Sequence, residues 1–234
     1  MTFANNSLSS NFAERAYTYK VTTPASVTPI SIANVKAFAK ITTSTDDALI
    51  ATLIKAAVRY AEQITRRDFI TRTYETFRDL FPGTYQGFHS FNGHISPFGE
   101  FGNFGFEIRK SPLQSITKVE YTDTTGATIL VASTVYYNTV EEDYSTLLTL
   151  PGQSWPTDAL ERLQAIKITF KSGFGDADTD VPEDLRQALL MHVTFLYENR
   201  GDCEDISEGS SDCGPKTTPG ASRAIYLQNR IENL

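Results

Sequence analysis

The stretch Ser44–Arg67, STDDALIATLIKAAVRYAEQITRR, constrains this chain more than any other. Apolar residues fall at Leu49/Ile50, Leu53/Ile54, Ala57/Val58, Ala61 and Ile64. That three-or-four spacing over about five turns predicts a helix at about 45–66 with one apolar stripe. Ser44 or Thr45 can accept the free first-turn amides, and Ser44 with Asp47 has the spacing of a capping box. Asp46 and Asp47 suit the positive end of the helix dipole, and Arg66 and Arg67 suit the negative end. Lys55, Arg59, Glu62, Gln63 and Arg66 occupy the other face. A stripe of this kind must be covered, so the fold needs further elements that pack on it.

Two further helices are predicted. Ser31 caps a short one, SIANVKAFAKI, with Ile32, Val35, Phe38 and Ala39 on one face. A second long helix runs from about 182 to 199: Pro182 fits the first turn, Asp180 is a plausible cap, and Glu183 and Asp184 complement the dipole. Its apolar face reads Leu185, Ala188/Leu189, His192/Val193 and Leu196, which makes His192 a hydrogen-bonded structural residue rather than a ligand. Between the two long helices the period changes from helical to alternating. Phe69–Leu80, Ile116–Tyr121, Thr128–Val131, Val135–Val140, a run ending at Leu147–Leu150, and Ala165–Lys171 all read as strands with tight connections. The class is therefore α+β: a small helical bundle with an antiparallel β-hairpin or sheet region and extended arms at both ends.

Three segments stand apart. Residues 1–29 are rich in Asn, Ser and Thr, are broken by Pro24 and Pro29, and read as an extended arm, with a short strand expected near Tyr17–Val21. Residues 83–106 place Phe at 88, 91, 98, 101, 104 and 106 among six glycines. Glycine this dense supports no regular element. Such a loop either packs its rings back on the domain or offers Phe98, Phe101 and Phe104 to a partner. Residues 201–214 hold five acids and no base, a solvated linker before the apolar stretch Ser222–Leu234. The organisation is thus 1–29 arm, 30–200 core with the 83–106 insertion, and 201–234 linker and docking tail.

Several function classes are excluded or disfavoured. No apolar run approaches the roughly 18–20 residues that span a bilayer, and no secretory signal pattern opens the chain. A net charge of −7 and a pI near 5.0 argue against broad nucleic-acid binding, and no run of basic residues is visible. Cys203 and Cys213 with three scattered histidines assemble no four-ligand zinc spacing, so neither metal nor cofactor is expected; the two cysteines can be free thiols, a disulfide or half a metal site. No nucleophile elbow, phosphate-binding loop, zincin or dinucleotide fingerprint is present, and an enzyme is not expected.

The order of these elements resembles the head-to-tail connector, or adaptor, proteins of tailed bacteriophages. The similarity is carried by TDDALIATLIKAAVRYAEQITRRDF and the strand after it, by RKSPLQSITKVEYTDTTG, by WPTDA with AIKITFKSGFGD, and by DVPEDLRQALLMHVTFLYENRGD. The resemblance implies a structural virion protein, assembled in the host cytoplasm and located in the neck. It implies a ring, commonly of twelve subunits, that joins the capsid portal to the downstream tail or stopper protein. Genomic DNA would pass through its lumen without sequence-specific binding, and an acidic chain fits a lumen that does not grip phosphate. The C-terminal segment would reach the portal through Ile225, Tyr226, Leu227 and Arg230. The polar helix face with Lys55, Arg59, Glu62 and Arg66 would meet a neighbouring subunit or the channel. A tail-completion or stopper protein of the same neck region, or a non-viral interaction module, is the alternative.

Overall fold

The computed structural model describes residues 18–82, 105–140, 145–158, 160, 163–199 and 218–231. The order of elements is β1 (Tyr19–Thr23), α1 (Ile32–Ala39), α2 (Asp47–Thr65), β2 (Arg72–Arg78), β3 (Gly105–Ile108), β4 (Leu113–Thr122), β5 (Thr128–Val131), β6 (Tyr136–Val140), β7 (Ser145–Thr149), β8 (Ile166–Ser172), α3 (Glu183–Glu198) and α4 (Gly220–Gln228). The class is α+β, as expected. The Phe/Gly loop and the acidic linker lie outside the described residues.

The stripe of α2 is buried as its spacing requires: Ile50, Ile54, Ala57 and Ala61 pack with Val35 of α1, Leu185, Ala188, Leu189 and Val193 of α3, and Tyr226 of α4. Phe69 and Ile70, which alternation assigns to a strand, complete this helical core instead. The strand therefore starts three residues later than expected, at Arg72, once both side chains are placed against the helices. Removing each such large apolar side chain from water is worth about 1.5–3 kcal/mol.

The α2 start also departs from expectation. Asp46 is the N-cap residue and makes no side-chain capping bond, so the predicted Ser44–Asp47 box is absent. The two carboxylates serve packing instead. Asp46 accepts from the Tyr197 hydroxyl at 2.6 Å, tying α2 to α3, and Asp47 pairs with Lys36 of α1 at 2.9 Å. Asp180 likewise does not cap α3; its carboxylate accepts from the Ala177 amide at 2.9 Å within a 3-10 turn. Ser31 does cap α1, accepting from the Asn34 amide at 3.1 Å.

The strands form two antiparallel sheets, ordered β1-β2-β8-β4-β5 and β3-β7-β6. Part of the expected N-terminal arm, Tyr19–Thr23, is the edge strand of the larger sheet and pairs with β2. The hairpin from β4 to β5 turns at Gly126, whose φ of 84° suits a residue without a Cβ. Asp123 braces this turn by accepting from the amides of Thr125 and Ala127 at 2.8 and 3.0 Å. A second core lies among the strands: Tyr74, Ile166, Ile168 and Phe170 of β2 and β8, Val119 and Tyr121 of β4, Phe106 and Ile108 of β3, Leu147 of β7, and Phe81 and Trp155. The alternation of β8 is realised with Ile166, Ile168 and Phe170 inward.

Candidate functional site: a basic cleft at the seam of two cores

Where α2 ends, the chain must leave the helical core and enter the sheet. Arg66 ends α2 in the left-handed conformation, with φ 59°, and the next six residues deliver Arg67, Asp68 and Arg72 to one place. From the other side, Arg109 and Lys110 arrive on the connection between β3 and β4, where the Asp68 amide donates to the Ser111 carbonyl at 2.8 Å. The result is a cleft of about 470 Å³ lined by Arg59, Glu62, Gln63, Arg66, Arg67, Asp68, Arg72, Arg109 and Lys110.

A polar network forms its floor. Asp68, only 3 % exposed, accepts from Arg72 at 3.2 Å, from the Tyr74 hydroxyl at 2.8 Å and from the Ser172 hydroxyl at 2.9 Å. Arg72 also donates to Glu62 at 2.9 Å, and Glu62 accepts from the Phe69 amide at 3.1 Å. This satisfies charges that would otherwise be costly to bury. Burial raises the Glu62 carboxyl above its ordinary pKa, and the Arg72 ion pair only partly offsets that. Burial works most strongly against the charge on Arg72, but Glu62, Tyr74 and Asp68 together outweigh it and the guanidinium pKa is raised. The Tyr74 hydroxyl is also raised, first by burial and then by Asp68.

The walls are cationic and held in place. Arg67 donates to the Asn229 carbonyl at 2.9 Å and Arg66 to the Ile231 carbonyl at 3.4 Å, so the segment after α4 shapes the cleft. Arg109 is oriented by Glu107 at 3.0 Å, and Lys110 lies 5.0 Å from the centre of the Tyr74 ring. Arg59 is exposed at the rim.

Of the four residues expected on the polar face of the long helix, Arg59, Glu62 and Arg66 line the cleft, and exposed Lys55 sits about one turn further from it. Glu62 is not a free surface group: it pairs with Arg72 in the floor. Among the expected docking residues, Leu227 and Arg230 are exposed and Ile225 is half-buried. Tyr226 is fully buried in the chain's own helical core, where its hydroxyl lies 3.4 Å from His192 Nδ1 and its ring packs edge-on near Tyr60. His192, 1 % exposed, is thus a core residue, as its place on the apolar face implied. Phe98, Phe101 and Phe104 lie outside the described residues. Sequence reading missed Arg67, Asp68, Arg72, Arg109 and Lys110; the available signal was three arginines within seven residues at a helix-to-strand junction.

Residues 29–86 match the family model described as phage gp6-like head-tail connector protein. They hold α1, α2, β2 and the floor of the cleft except Ser172. No curated protein matches the chain. Among solved structures, a chain in the neck of an empty gene transfer agent (GTA) particle, computed with C6 symmetry, is 17% identical with a TM-score of 0.65, over 93% of this chain and 97% of that one. A chain of the native GTA virion is 18% identical with a TM-score of 0.64, over 92% and 96%. A chain in the native GTA neck computed with C12 symmetry is 18% identical with a TM-score of 0.56, over 92% and 97%. The resemblance read from the sequence therefore meets a phage gp6-like head-tail connector signature over residues 29–86, on a fold shared along nearly the whole chain with chains of GTA particles.

Proposed function

We propose that this protein is a non-catalytic structural subunit of the neck of a phage-like virion. It forms a ring, of twelve subunits, between the capsid portal and the tail, around the channel through which DNA passes. The observation that carries this reading is the coincidence of two independent matches. The connector family model falls on the segment that holds α1, α2 and β2, and the fold of neck-particle chains extends over nearly the whole chain. The C12 symmetry of one of those necks supports the subunit number.

The surface also suits a ring, which needs two different, mutually complementary faces on each subunit. Among the described residues the larger sheet ends in two edge strands, β1 with exposed Val21 and β5 with Leu130 at 62 % exposure. In this reading α4 is the portal-facing element: buried Tyr226 holds it on the core, while Leu227 and Arg230, beside Ile225, make the contact. Phe98, Phe101 and Phe104 meet a neighbour or a tail component.

Electron microscopy of the purified protein, alone and mixed with a portal, tests the ring. A twelve-membered ring that stacks on the portal is expected; a persistent monomer that ignores the portal would overturn the reading. For the docking face, Leu227→Ser with Arg230→Ala should abolish portal attachment with little change in melting temperature, because both side chains are exposed. Deleting the whole of Ser222–Leu234 is a poorer test, since it removes buried Ser222, Tyr226 and Ile231.

A further inference from the structure

Six of the chain's 21 Lys and Arg residues line one cleft, in a protein whose net charge is −7. The lining holds two carboxylates, Glu62 and Asp68; Arg72 engages both in the floor, and Lys110 Nζ also lies 3.8 Å from Asp68. Glu107 holds Arg109 from outside the lining. The cations therefore outnumber the acids around a space whose volume suits a small ligand or a group of a larger one.

Folding alone does not call for this gathering. Charges of one sign repel when brought together, and a chain with only 21 cations could spread them over its surface. Here helix α2, the α2–β2 connection and the β3–β4 connection each bring cations to the same cleft. Backbone carbonyls at Asn229 and Ile231 hold Arg67 and Arg66, so part of the entropic cost of ordering two long side chains is met in the fold itself. Five of the six cations are arginines, whose planar forks give parallel hydrogen bonds to the oxygens of a tetrahedral anion. A carboxylate occupies one fork with two oxygens; a phosphate group offers more oxygens to several forks at once.

We propose that this cleft is an oxyanion site of the phosphate class, taking a phosphate group of a nucleic-acid backbone or one free in solution. It deepens the neck reading, on which its biological setting rests: phosphate contact carries no base information, so DNA can be held or guided there without sequence preference. It runs against the expectation of a chain that does not grip phosphate, because the fold concentrates cations that the sequence disperses.

The full-length protein is titrated with a fluorescent mixed-sequence DNA duplex at several salt concentrations, with the unlabelled duplex, inorganic phosphate and polyglutamate as competitors at matched ionic strength. Arg59→Gln with Arg66→Gln should weaken DNA binding at least about tenfold at low salt. Two lost phosphate contacts should also flatten the log–log salt slope by about two. The charge-matched control, Lys171→Gln with Arg223→Gln, removes two exposed cations outside the cleft and should bind like the parent. Displacement by inorganic phosphate would assign the site to a discrete phosphate group, and displacement by DNA alone to the backbone; both uphold the proposal. Equal binding by the parent and the cleft variant would overturn it, as would polyglutamate competing as well as DNA, which would make the cleft a seat for an acidic protein. Ring formation of each variant is scored in parallel by electron microscopy. Rings that persist while DNA binding is lost uphold the site. Lost rings with unchanged DNA binding overturn it in favour of a subunit contact. A parent that never forms rings yet loses DNA binding in the cleft variant would sink the neck reading and leave the site standing.

Discussion

The helical core is filled largely by aliphatic side chains from four short or medium helices, whereas the β core is built on rings. Trp155 stacks between Phe81 and Tyr136, with centroids 5.4 and 6.2 Å away, and Tyr74 stacks on Phe170 at 5.5 Å. In the helical core the rings are fewer: Tyr60, His192 and Tyr226 cluster where α4 docks, and Phe69 packs near Phe174 at 6.4 Å. Aliphatic packing follows one stripe per helix and can be repacked with modest loss; a ring stack fixes orientation as well as volume. The two cores meet at Asp68, whose carboxylate reaches Tyr74 and Ser172 on the sheet and Arg72 beside Glu62 of α2. Polar side chains collect at such a seam because neither core can accept them. That explains why the basic cleft forms there rather than on an open helix face.

The contrast can be broken most directly at the ring stack. Phe170→Ala removes a fully buried ring from between the sheets and should cost about 3–5 kcal/mol in chemical denaturation. A loss below about 1 kcal/mol would show that the β core is not organised around its rings. Asp68→Ala attacks the seam and should cost about 3 kcal/mol, since it leaves Arg72 short of a charge partner and the Tyr74 and Ser172 hydroxyls without their acceptor. Hydrogen exchange should show faster opening in both α2 and β8; an effect confined to one of them would mean the cores are not coupled through this carboxylate. The smallest effect is a pH dependence at Glu62. Burial raises its folded pKa above the ordinary 4.5, so the folded chain holds this proton more tightly than the unfolded chain does. That contribution is fully present below the ordinary value and is lost as pH rises through the folded value. Melting temperatures of the parent should therefore fall relative to those of Glu62→Gln as pH rises from about 4. A gap that moves the other way would mean that the Arg72 pair dominates over burial.

Periodicity carried much of this fold, and its limits are instructive. The stripe of α2, the burial of His192 and the inward set of β8 were legible because each depends on neighbours along one element. Phe69 and Ile70 were misassigned because alternation describes a pattern and not the partner that covers it. The cap expected near Ser44 failed for a related reason: Asp46 and Asp47 found partners in Tyr197 and Lys36, which lie far away or on another helix, whereas Asp180 closes its own 3-10 turn onto the Ala177 amide. The division of the strands into two sheets had no local signal, since pairs such as β1 with β2, β2 with β8 and β3 with β7 join segments separated by tens of residues.

By itself the sequence determined that the chain is α+β, where its two long helices run, and the order of elements that resembles head-tail connectors. These properties rest on spacing and order, which are local. Only the tertiary structure decided that Tyr226 turns inward to seat α4, that Asp68 joins two cores, and that Arg59, Arg66, Arg67, Arg72, Arg109 and Lys110 share one cleft. The physical reason is that charge density depends on distance in space. Cations spread along the sequence from 59 to 110 become a site only when the helix end and the β3–β4 connection fold against each other.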